Sequence, residues 1–260
     1  ENKSNIALLL GDPAGIGLEV ICKALQILPH PWGFQAVLFG SQVLFDDNRY
    51  HFILDELAPY IELRPVFALS ALQLGQASAE QGKASAVYIE EATKAVLVGD
   101  CQALVTAPIN KQALQLAGLP YTGHTTHLKA LTHSDFVSMA FYSEVLKLVL
   151  ATVHEPLAKV PALLAEPGLL EQRLLHAESF VRGFGVDTPK LAVAGLNPHA
   201  GEGGLFGHEE DHVIAPAMAS CQLKYAHVSG PHAPDTVFRR AVQGEFDCVL
   251  AMYHDQALIP

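Results

Sequence analysis

Short runs of valine, leucine, isoleucine and alanine recur along the chain, each bounded by glycine, proline or polar residues. Continuous apolar runs of this kind predict strands that are buried on both faces of a sheet. The predicted strands cover residues 6–10, 36–39, 103–106, 146–152, 191–194, 226–229 and 247–252.

Stretches with apolar residues at helical spacing separate these runs and predict amphipathic helices. The helices cover residues 18–28, 85–97, 111–116, about 169–182, 209–221 and 235–242. This alternation predicts an α/β fold with a mostly parallel sheet and helices on both of its faces. Residues 73–83 are polar and small, so we expect a mobile surface loop there. Residues 119–143 are rich in threonine, histidine and turn residues, and we expect a second subdomain to begin there.

Three of the predicted strands lead into a histidine. His154 follows Leu-Val-Leu-Ala-Thr-Val, His199 follows Leu-Ala-Val-Ala-Gly-Leu-Asn-Pro, and His254 follows Cys-Val-Leu-Ala-Met-Tyr. Ligands bind at the carboxyl edge of parallel sheets, and three neutral imidazoles gathered there would leave coordination positions open, as a catalytic metal needs. One such histidine alone is more often structural, but the setting that all three share predicts a divalent-metal site.

The composition is that of a folded protein, with 260 residues of which half are hydrophobic and 17% are charged. We expect neither a membrane helix, which needs roughly 18–20 apolar residues, nor a signal sequence. The formal charge of −11 argues against a nucleic-acid partner, because phosphate contacts need clustered lysine and arginine. The four cysteines are scattered, which predicts reduced, mostly buried thiols in a cytoplasmic protein. They are Cys22, Cys101, Cys221 and Cys248.

A glycine-rich segment, Gly11-Asp-Pro-Ala-Gly-Ile-Gly17, joins the first predicted strand to the first predicted helix. Glycines there permit tight turns and a close approach of backbone N–H groups to an anion. The spacing is similar to the cofactor loop of short-chain dehydrogenases, but the Tyr-x-x-x-Lys pair of those enzymes is missing. A conventional Rossmann site also needs an acidic residue after the second strand, where Gly40 and Ser41 stand instead. A purely structural turn therefore remains an alternative.

The segment His208-Glu-Glu-Asp-His212 matches the His-Glu-x-x-His pattern of zinc proteases. In those enzymes two histidines on one helix face bind zinc and the glutamate acts as a general base. Here three consecutive acids follow a glycine-rich loop, and the helix dipole explains acids in a first turn without any metal. A zinc hydrolase that uses His208 and His212 is kept as an alternative of a different class.

Other polar groups have an ordinary interpretation and a functional one. The loop at 121–127, which contains His124 and Thr125, is either solvated or part of a binding site. Asp235 stands where a helix N-cap is expected. Asp255, directly after His254, either orients a metal site or faces water.

Several segments together resemble the 4-hydroxythreonine-4-phosphate dehydrogenase family of pyridoxal phosphate biosynthesis. They occur in the family's order over almost the whole chain, and 196–204 and 252–256 are the most specific. The segments are Gly11–Gly17, Thr106-Ala-Pro-Ile-Asn-Lys111, Gly123-His-Thr125, Ala151-Thr-Val-His154, Leu196-Asn-Pro-His-Ala-Gly-Glu-Gly-Gly204, Pro234-Asp-Thr236 and Met252-Tyr-His-Asp-Gln256.

The resemblance implies a fold like that of isocitrate and isopropylmalate dehydrogenases, with two subdomains and a cleft. It implies a homodimer whose active sites lie at the subunit interface. We expect residues 1–118 with 230–260 to form the first subdomain and 119–229 the second, dimer-forming one. A small phosphorylated hydroxy acid is the implied substrate, with 4-phosphooxy-L-threonine and threonate or erythronate 4-phosphate as alternatives.

The resemblance also implies cofactors and site residues. NAD or NADP would bind outside the Rossmann pattern, and a divalent zinc, cobalt or magnesium ion would bind His154, His199 and His254. His124 and Thr125 would contact the substrate. Asp235 and Asp255 would orient the metal ligands.

This sequence departs from the family in a few places. Thr126 follows Gly-His-Thr where the family commonly has a glutamate, and Ala257 stands where a glycine is usual. The sequence reaches Pro260 soon after His254, and we expect the remainder of the first subdomain to be absent. A non-catalytic metal-binding remnant is therefore a further alternative.

Overall fold

The computed structural model describes residues 4–29, 31–70 and 72–260. The chain divides between Val137 and Ser138 into two compact units, each built around its own sheet. Both sheets alternate with helices along the chain, so the predicted α/β class is confirmed.

The first unit contains a four-stranded parallel sheet in the order β3-β2-β1-β4. Its strands are β1 (Ser4–Leu9), β2 (Phe34–Gly40), β3 (Ile61–Pro65) and β4 (Ala103–Thr106). Its helices are α1 (Gly17–Ile27), α2 (Gln42–Phe45), α3 (His51–Leu57), α4 (Ala79–Leu97), α5 (Lys111–Leu116) and α6 (His124–Leu131).

Helix α4 begins earlier than predicted, within the segment expected to be a loop. Ser78 is its N-cap and its side chain accepts a hydrogen bond from the Gln81 backbone amide. The small residues have a packing role, since a Cβ at Gly82 would lie 2.0 Å from the carbonyl oxygen of Ala113 at α5. The loop interpretation of 73–83 is therefore wrong from residue 79 onward.

The second unit contains a five-stranded sheet in the order β5-β6-β9-β7-β8. Its edge strand β5 is antiparallel to β6, and the other neighbours are parallel. The strands are β5 (Ala140–Tyr142), β6 (Lys147–Leu150), β7 (Lys190–Ala194), β8 (His227–His232) and β9 (Cys248–Ala251).

The helices of the second unit are α7 (Val160–Leu164), α8 (Leu169–Arg182), α9 (Ala215–Ser220), α10 (Pro234–Val242) and α11 (His254–Leu258). Short 3₁₀ segments cover Leu157–Lys159 and Pro198–Gly204, and a π-helical turn covers Glu210–Ile214.

The central strands of this sheet are apolar on both faces. On one face Val193 and Leu250 pack in one core with Leu174 of α8, and on the other Ala192 and Val249 pack with Val237 of α10. Strands covered on both sides are continuously apolar in sequence, which is why they were recognisable.

The division of the chain differs from the subdomain boundaries expected from the resemblance. Strand β9 pairs with β6 and β7, so residues 248–251 belong to the sheet of the second unit. Across the described residues, no helix combines the length and the apolar character that crossing a bilayer requires.

Candidate active site

The three strands that precede the candidate ligands are neighbours. Strand β9 lies between β6 and β7 and runs parallel to both. Their carboxyl ends therefore share one edge of the sheet, from which the segments carrying His154, His254 and His199 emerge. This is the arrangement that the apolar runs predicted.

His154 and His254 lie side by side at this edge. Their ring centroids are 5.5 Å apart and the rings are tilted by 43°. His254 is the first residue of α11, and its Nδ1 lies 2.8 Å from Oδ1 of Asp255. A carboxylate beside Nδ1 fixes the ring so that Nε2 is available to a ligand.

His199 has a different partner. Its Nδ1 lies 3.5 Å from Oδ2 of Asp235, and the two side chains are 57% and 55% exposed. Asp235 is not the N-cap of α10, as its sequence position suggested, because Ala233 occupies that position and Asp235 lies in the first turn. The carboxylate is therefore free to face His199.

The structure brings only two of the three predicted metal ligands next to each other. Within 4–29, 31–70 and 72–260, no three histidine, cysteine, aspartate or glutamate side chains form a group that could hold a metal ion. The structure pairs His154 with His254 and His199 with Asp235. The donor chemistry nevertheless suits a divalent transition metal, because imidazoles are the preferred nitrogen ligands and each of two rings has a neighbouring carboxylate.

A left-handed turn carries His199. Six consecutive residues, 199–204, have positive φ angles, including 53° at His199 and 81° at Gly201. A Cβ at Gly201 would lie 2.8 Å from Oε2 of Glu210, so this position needs glycine for both its backbone and its surroundings. The glycines in the segment therefore have a structural reason.

Glu210 holds this turn from beneath. It is 3% exposed, and its Oε1 accepts hydrogen bonds from the backbone amides of Leu196 and Asn197 at 2.8 and 2.7 Å. Its Oε2 accepts a third from Nδ2 of Asn197 at 3.0 Å. Glu210 and Asp211 lie in the first turn of the π-helical segment, as the helix-dipole interpretation expected, and the Glu210 carboxylate in addition satisfies donors of the preceding loop.

Gln256 and Thr152 connect the strand ends. Gln256 accepts from the Met252 amide at 2.7 Å and donates to the Gly195 carbonyl at 2.8 Å. The Thr152 hydroxyl donates to the Met252 carbonyl at 2.7 Å. These buried contacts link the ends of β6, β9 and β7, and sequence patterns alone gave no sign of them.

His124 lies in the first unit, at the start of α6, where composition allowed for a solvated loop. Its Nε2 is buried and has no hydrogen-bond partner. Burial, and then the nearby His127, lower the pKa of His124, so its ring is neutral near pH 7. A neutral ring with an unpaired nitrogen can bind a ligand, whereas the neighbouring Thr125 is simply exposed.

His127, which the sequence did not single out, is more deeply buried than His124. It is 1% exposed and its ring stacks on Tyr121 with centroids 3.9 Å apart. Its Nε2 lies 3.4 Å from Oε1 of Glu90, without hydrogen-bond geometry. Glu90 is far away in sequence, so no local pattern reveals this group.

The glycine-rich segment after β1 is explained by packing. Gly11 has a φ of 69°, and a Cβ there would lie 2.3 Å from the Pro108 carbonyl oxygen. A Cβ at Gly17 would lie 1.9 Å from the Leu10 carbonyl oxygen. The Asp12 side chain accepts a hydrogen bond from the Ala14 amide within the same turn. The structural interpretation therefore accounts for this segment.

The His-Glu-x-x-His segment lacks a free general base. Oε2 of Glu209 accepts a hydrogen bond from Nδ2 of Asn197 at 2.7 Å, which lowers the pKa of that carboxyl group. A carboxylate held in this way is a weaker base than a hydrolase needs. This geometry does not favour a hydrolase.

Two known proteins that are similar to almost the whole of this chain are both named as dehydrogenases. The chain is 39% identical over 270 residues to a 4-hydroxythreonine-4-phosphate dehydrogenase of Desulfosudis oleivorans, covering 98% of this chain and 80% of the relative. It is 38% identical over 275 residues to a D-threonate 4-phosphate dehydrogenase of Salmonella typhimurium, covering 98% and 82%.

A solved structure gives the same result. The 4-hydroxythreonine-4-phosphate dehydrogenase of Klebsiella pneumoniae matches with a TM-score of 0.86 at 36% identity, covering 99% of this chain and 82% of that one. The predicted relation to this type of dehydrogenase is confirmed. The family described as pyridoxal phosphate biosynthetic protein PdxA matches residues 37–260. The chain therefore belongs to the PdxA family.

Proposed function

We propose that the chain oxidises 4-phosphooxy-L-threonine with NAD as acceptor, in the presence of a divalent metal, as a step of pyridoxal phosphate biosynthesis. The carbon bearing the secondary hydroxyl loses a hydride to NAD⁺, and the hydroxyl proton goes to solvent. The resulting 3-keto acid loses CO₂ and takes up a proton, which gives 3-amino-2-oxopropyl phosphate. The family and the names of its dehydrogenases support this reaction.

The observation that carries the proposal is the shared edge of β6, β9 and β7. In this proposal His154, His199 and His254 hold the metal, and Asp235 and Asp255 orient His199 and His254. A divalent metal bound there would act as a Lewis acid toward the substrate hydroxyl and then toward the ketone. The contact of 3.5 Å between His199 and Asp235 and that of 2.8 Å between His254 and Asp255 support these roles.

We also propose that His124 and Thr125 contact the substrate. The support for His124 is its buried, unpartnered Nε2, since an unsatisfied buried nitrogen gains a hydrogen bond when a ligand arrives. No residue is assigned to the nicotinamide cofactor, because the glycines of the Gly11–Gly17 loop are occupied by packing within the protein.

We propose a homodimer located in the cytoplasm. The edge strand β5 carries the exposed side chains of Phe141 and Tyr142, and Tyr142 stacks on the exposed Phe184 at 4.4 Å. An apolar edge of this kind supports association with a second copy. All four cysteines are free thiols, which supports a reducing compartment. Sedimentation velocity tests the dimer, and a monomer at micromolar concentration would contradict it.

A substrate panel tests the reaction. Purified protein with Zn²⁺, Co²⁺ or Mg²⁺ and NAD⁺ or NADP⁺ is given 4-phosphooxy-L-threonine or D-threonate 4-phosphate, and NADH or NADPH absorbance is followed. We expect turnover of 4-phosphooxy-L-threonine that His199→Ala abolishes, while His227→Ala, at an exposed position, retains it. Full turnover by folded His199→Ala would refute the proposed metal role. Turnover of threonate 4-phosphate alone, the activity named in one relative, would refute the substrate.

A further inference from the structure

The proposed oxidoreductase makes no use of His208 and His212. They lie one helical turn apart, with the His212 amide donating to the His208 carbonyl oxygen at 2.8 Å. Their rings are stacked, with centroids 5.2 Å apart and planes 21° from parallel. His208 lies just before the π-helical turn that contains His212, and both residues are exposed to solvent. Two imidazoles are therefore presented together at the surface.

The segment of the chain around this pair is acidic. No lysine or arginine occurs between Lys190 and Lys224, and that interval contains four acids, Glu202, Glu209, Glu210 and Asp211. Gly204 packs directly against one ring, since a Cβ there would lie 2.7 Å from Cε1 of His208. The backbone next to His208 therefore leaves room for the imidazole.

We propose that His208 and His212 form a surface binding site for a late first-row transition-metal ion, such as Ni²⁺, Cu²⁺ or Zn²⁺. Two imidazole nitrogens would chelate the ion and water would complete its coordination. Such ions prefer imidazole, whereas Mg²⁺ and Ca²⁺ prefer oxygen ligands, so the site discriminates by donor type. The site uses none of the residues proposed for catalysis.

The test is calorimetric titration of the full chain with Ni²⁺ at about pH 7.5. His208→Ala and His212→Ala are compared with the unsubstituted protein and with His51→Ala. His51 is a suitable control because it is also exposed and has a potential donor, Asp55, four residues later at 3.4 Å. Loss of either chelating ring should weaken binding at this site by about a hundredfold, since chelation makes the second contact intramolecular.

We expect both single variants to lose one bound Ni²⁺ per chain relative to the unsubstituted protein, while His51→Ala retains it. Circular dichroism establishes folding, and His212→Gln serves as a second substitution at the same position. Unchanged Ni²⁺ affinity and stoichiometry in folded His208→Ala and His212→Ala would overturn the proposal. In a His154→Ala background, from which the ion of the proposed catalytic site is already lost, adding His208→Ala should remove one further Ni²⁺, and no further loss would also overturn the proposal.

Discussion

The side-chain amide of Gln256 donates a hydrogen bond to the carbonyl oxygen of Gly195 over 2.8 Å. Gln256 follows β9 and Gly195 follows β7, so this contact joins two of the segments that carry proposed metal ligands. Because the same side chain also accepts from the Met252 amide, both halves of its amide group are satisfied in a buried position. The contact fixes the spacing of the strand ends.

Gln256→Leu should therefore destabilise the protein by about 2 kcal/mol, since it leaves a buried amide and a buried carbonyl without partners. Urea unfolding measures this change. Gln222→Leu, at an exposed position without such contacts, is the control and should change stability by less than about 0.5 kcal/mol. Equal effects of the two substitutions would show that the hydrogen bonds of Gln256 contribute nothing to stability.

Replacing Glu210 should disturb the turn that carries His199. Glu210→Ala removes an acceptor shared by the Leu196 and Asn197 amides, and we expect a loss of about 3 kcal/mol in the free energy of unfolding. Glu210→Gln keeps one carbonyl oxygen and should lose less. Glu209→Gln is the matched control, because Glu209 makes a single side-chain contact with Asn197. A larger loss of unfolding free energy in Glu209→Gln than in Glu210→Ala would contradict the role of Glu210 as the acceptor that holds this turn.

Alanine substitutions at two glycines of the same turn measure the effect of backbone strain separately from the effect of crowding. Gly201 and Gly203 have φ angles of 81° and 65°, but a Cβ at Gly201 meets Glu210 at 2.8 Å whereas one at Gly203 meets nothing within 4 Å. Gly203→Ala should cost about 1 kcal/mol for its left-handed conformation alone. Gly201→Ala should lower the free energy of unfolding clearly more than Gly203→Ala, as measured by thermal or urea unfolding. Equal losses in the two variants would mean that Glu210 moves away from the added methyl group without cost.

The buried histidines of α6 should make stability depend on pH. Burial lowers the pKa of His127 and of His124 below the ordinary value of 6.5, so the folded protein binds fewer protons than the unfolded chain near that pH. The free energy of unfolding therefore has its full value above pH 6.5 and decreases as the pH falls below 6.5.

His127→Phe tests this dependence, because phenylalanine keeps the stack on Tyr121 and removes the titrating ring. Urea unfolding between about pH 5.5 and 7.5 should show a shallower pH dependence in this variant than in the unsubstituted protein. His227→Phe, at an exposed position, is the control and should retain the original slope. An unchanged slope in His127→Phe would contradict the role of burial.

Much of the fold was predictable because the central strands are buried on both faces. Strands β1, β2, β6, β7 and β9 appear in sequence as continuous apolar runs. Strand β4 lies at a sheet edge and was recognisable from its short Ala-Leu-Val run. Strand β3 was missed because it lies at a sheet edge and alternates polar residues such as Glu62 and Arg64. Strand β5 was missed for a similar reason, since all three of its residues are exposed.

The candidate site was only partly predictable. The positions of His154, His199 and His254 after adjacent parallel strands followed from the pattern, because parallel strands align their carboxyl ends. The hydrogen bonds that Glu210, Gln256 and Thr152 make to backbone groups did not follow from the pattern, because such hydrogen bonds leave no periodic signal in the sequence. Their contacts depend on loop geometry, including a left-handed turn whose repeated glycines were its one visible sign.

The most direct test of the central claim is the anomalous diffraction of crystals grown with Zn²⁺ or Co²⁺. We expect a metal peak within about 2.0–2.1 Å of ring nitrogens of His154, His199 and His254, with any partner subunit's contribution visible in the same map. A fully occupied metal elsewhere in the molecule, with these three rings unligated, would contradict the proposed site and the reaction that depends on it.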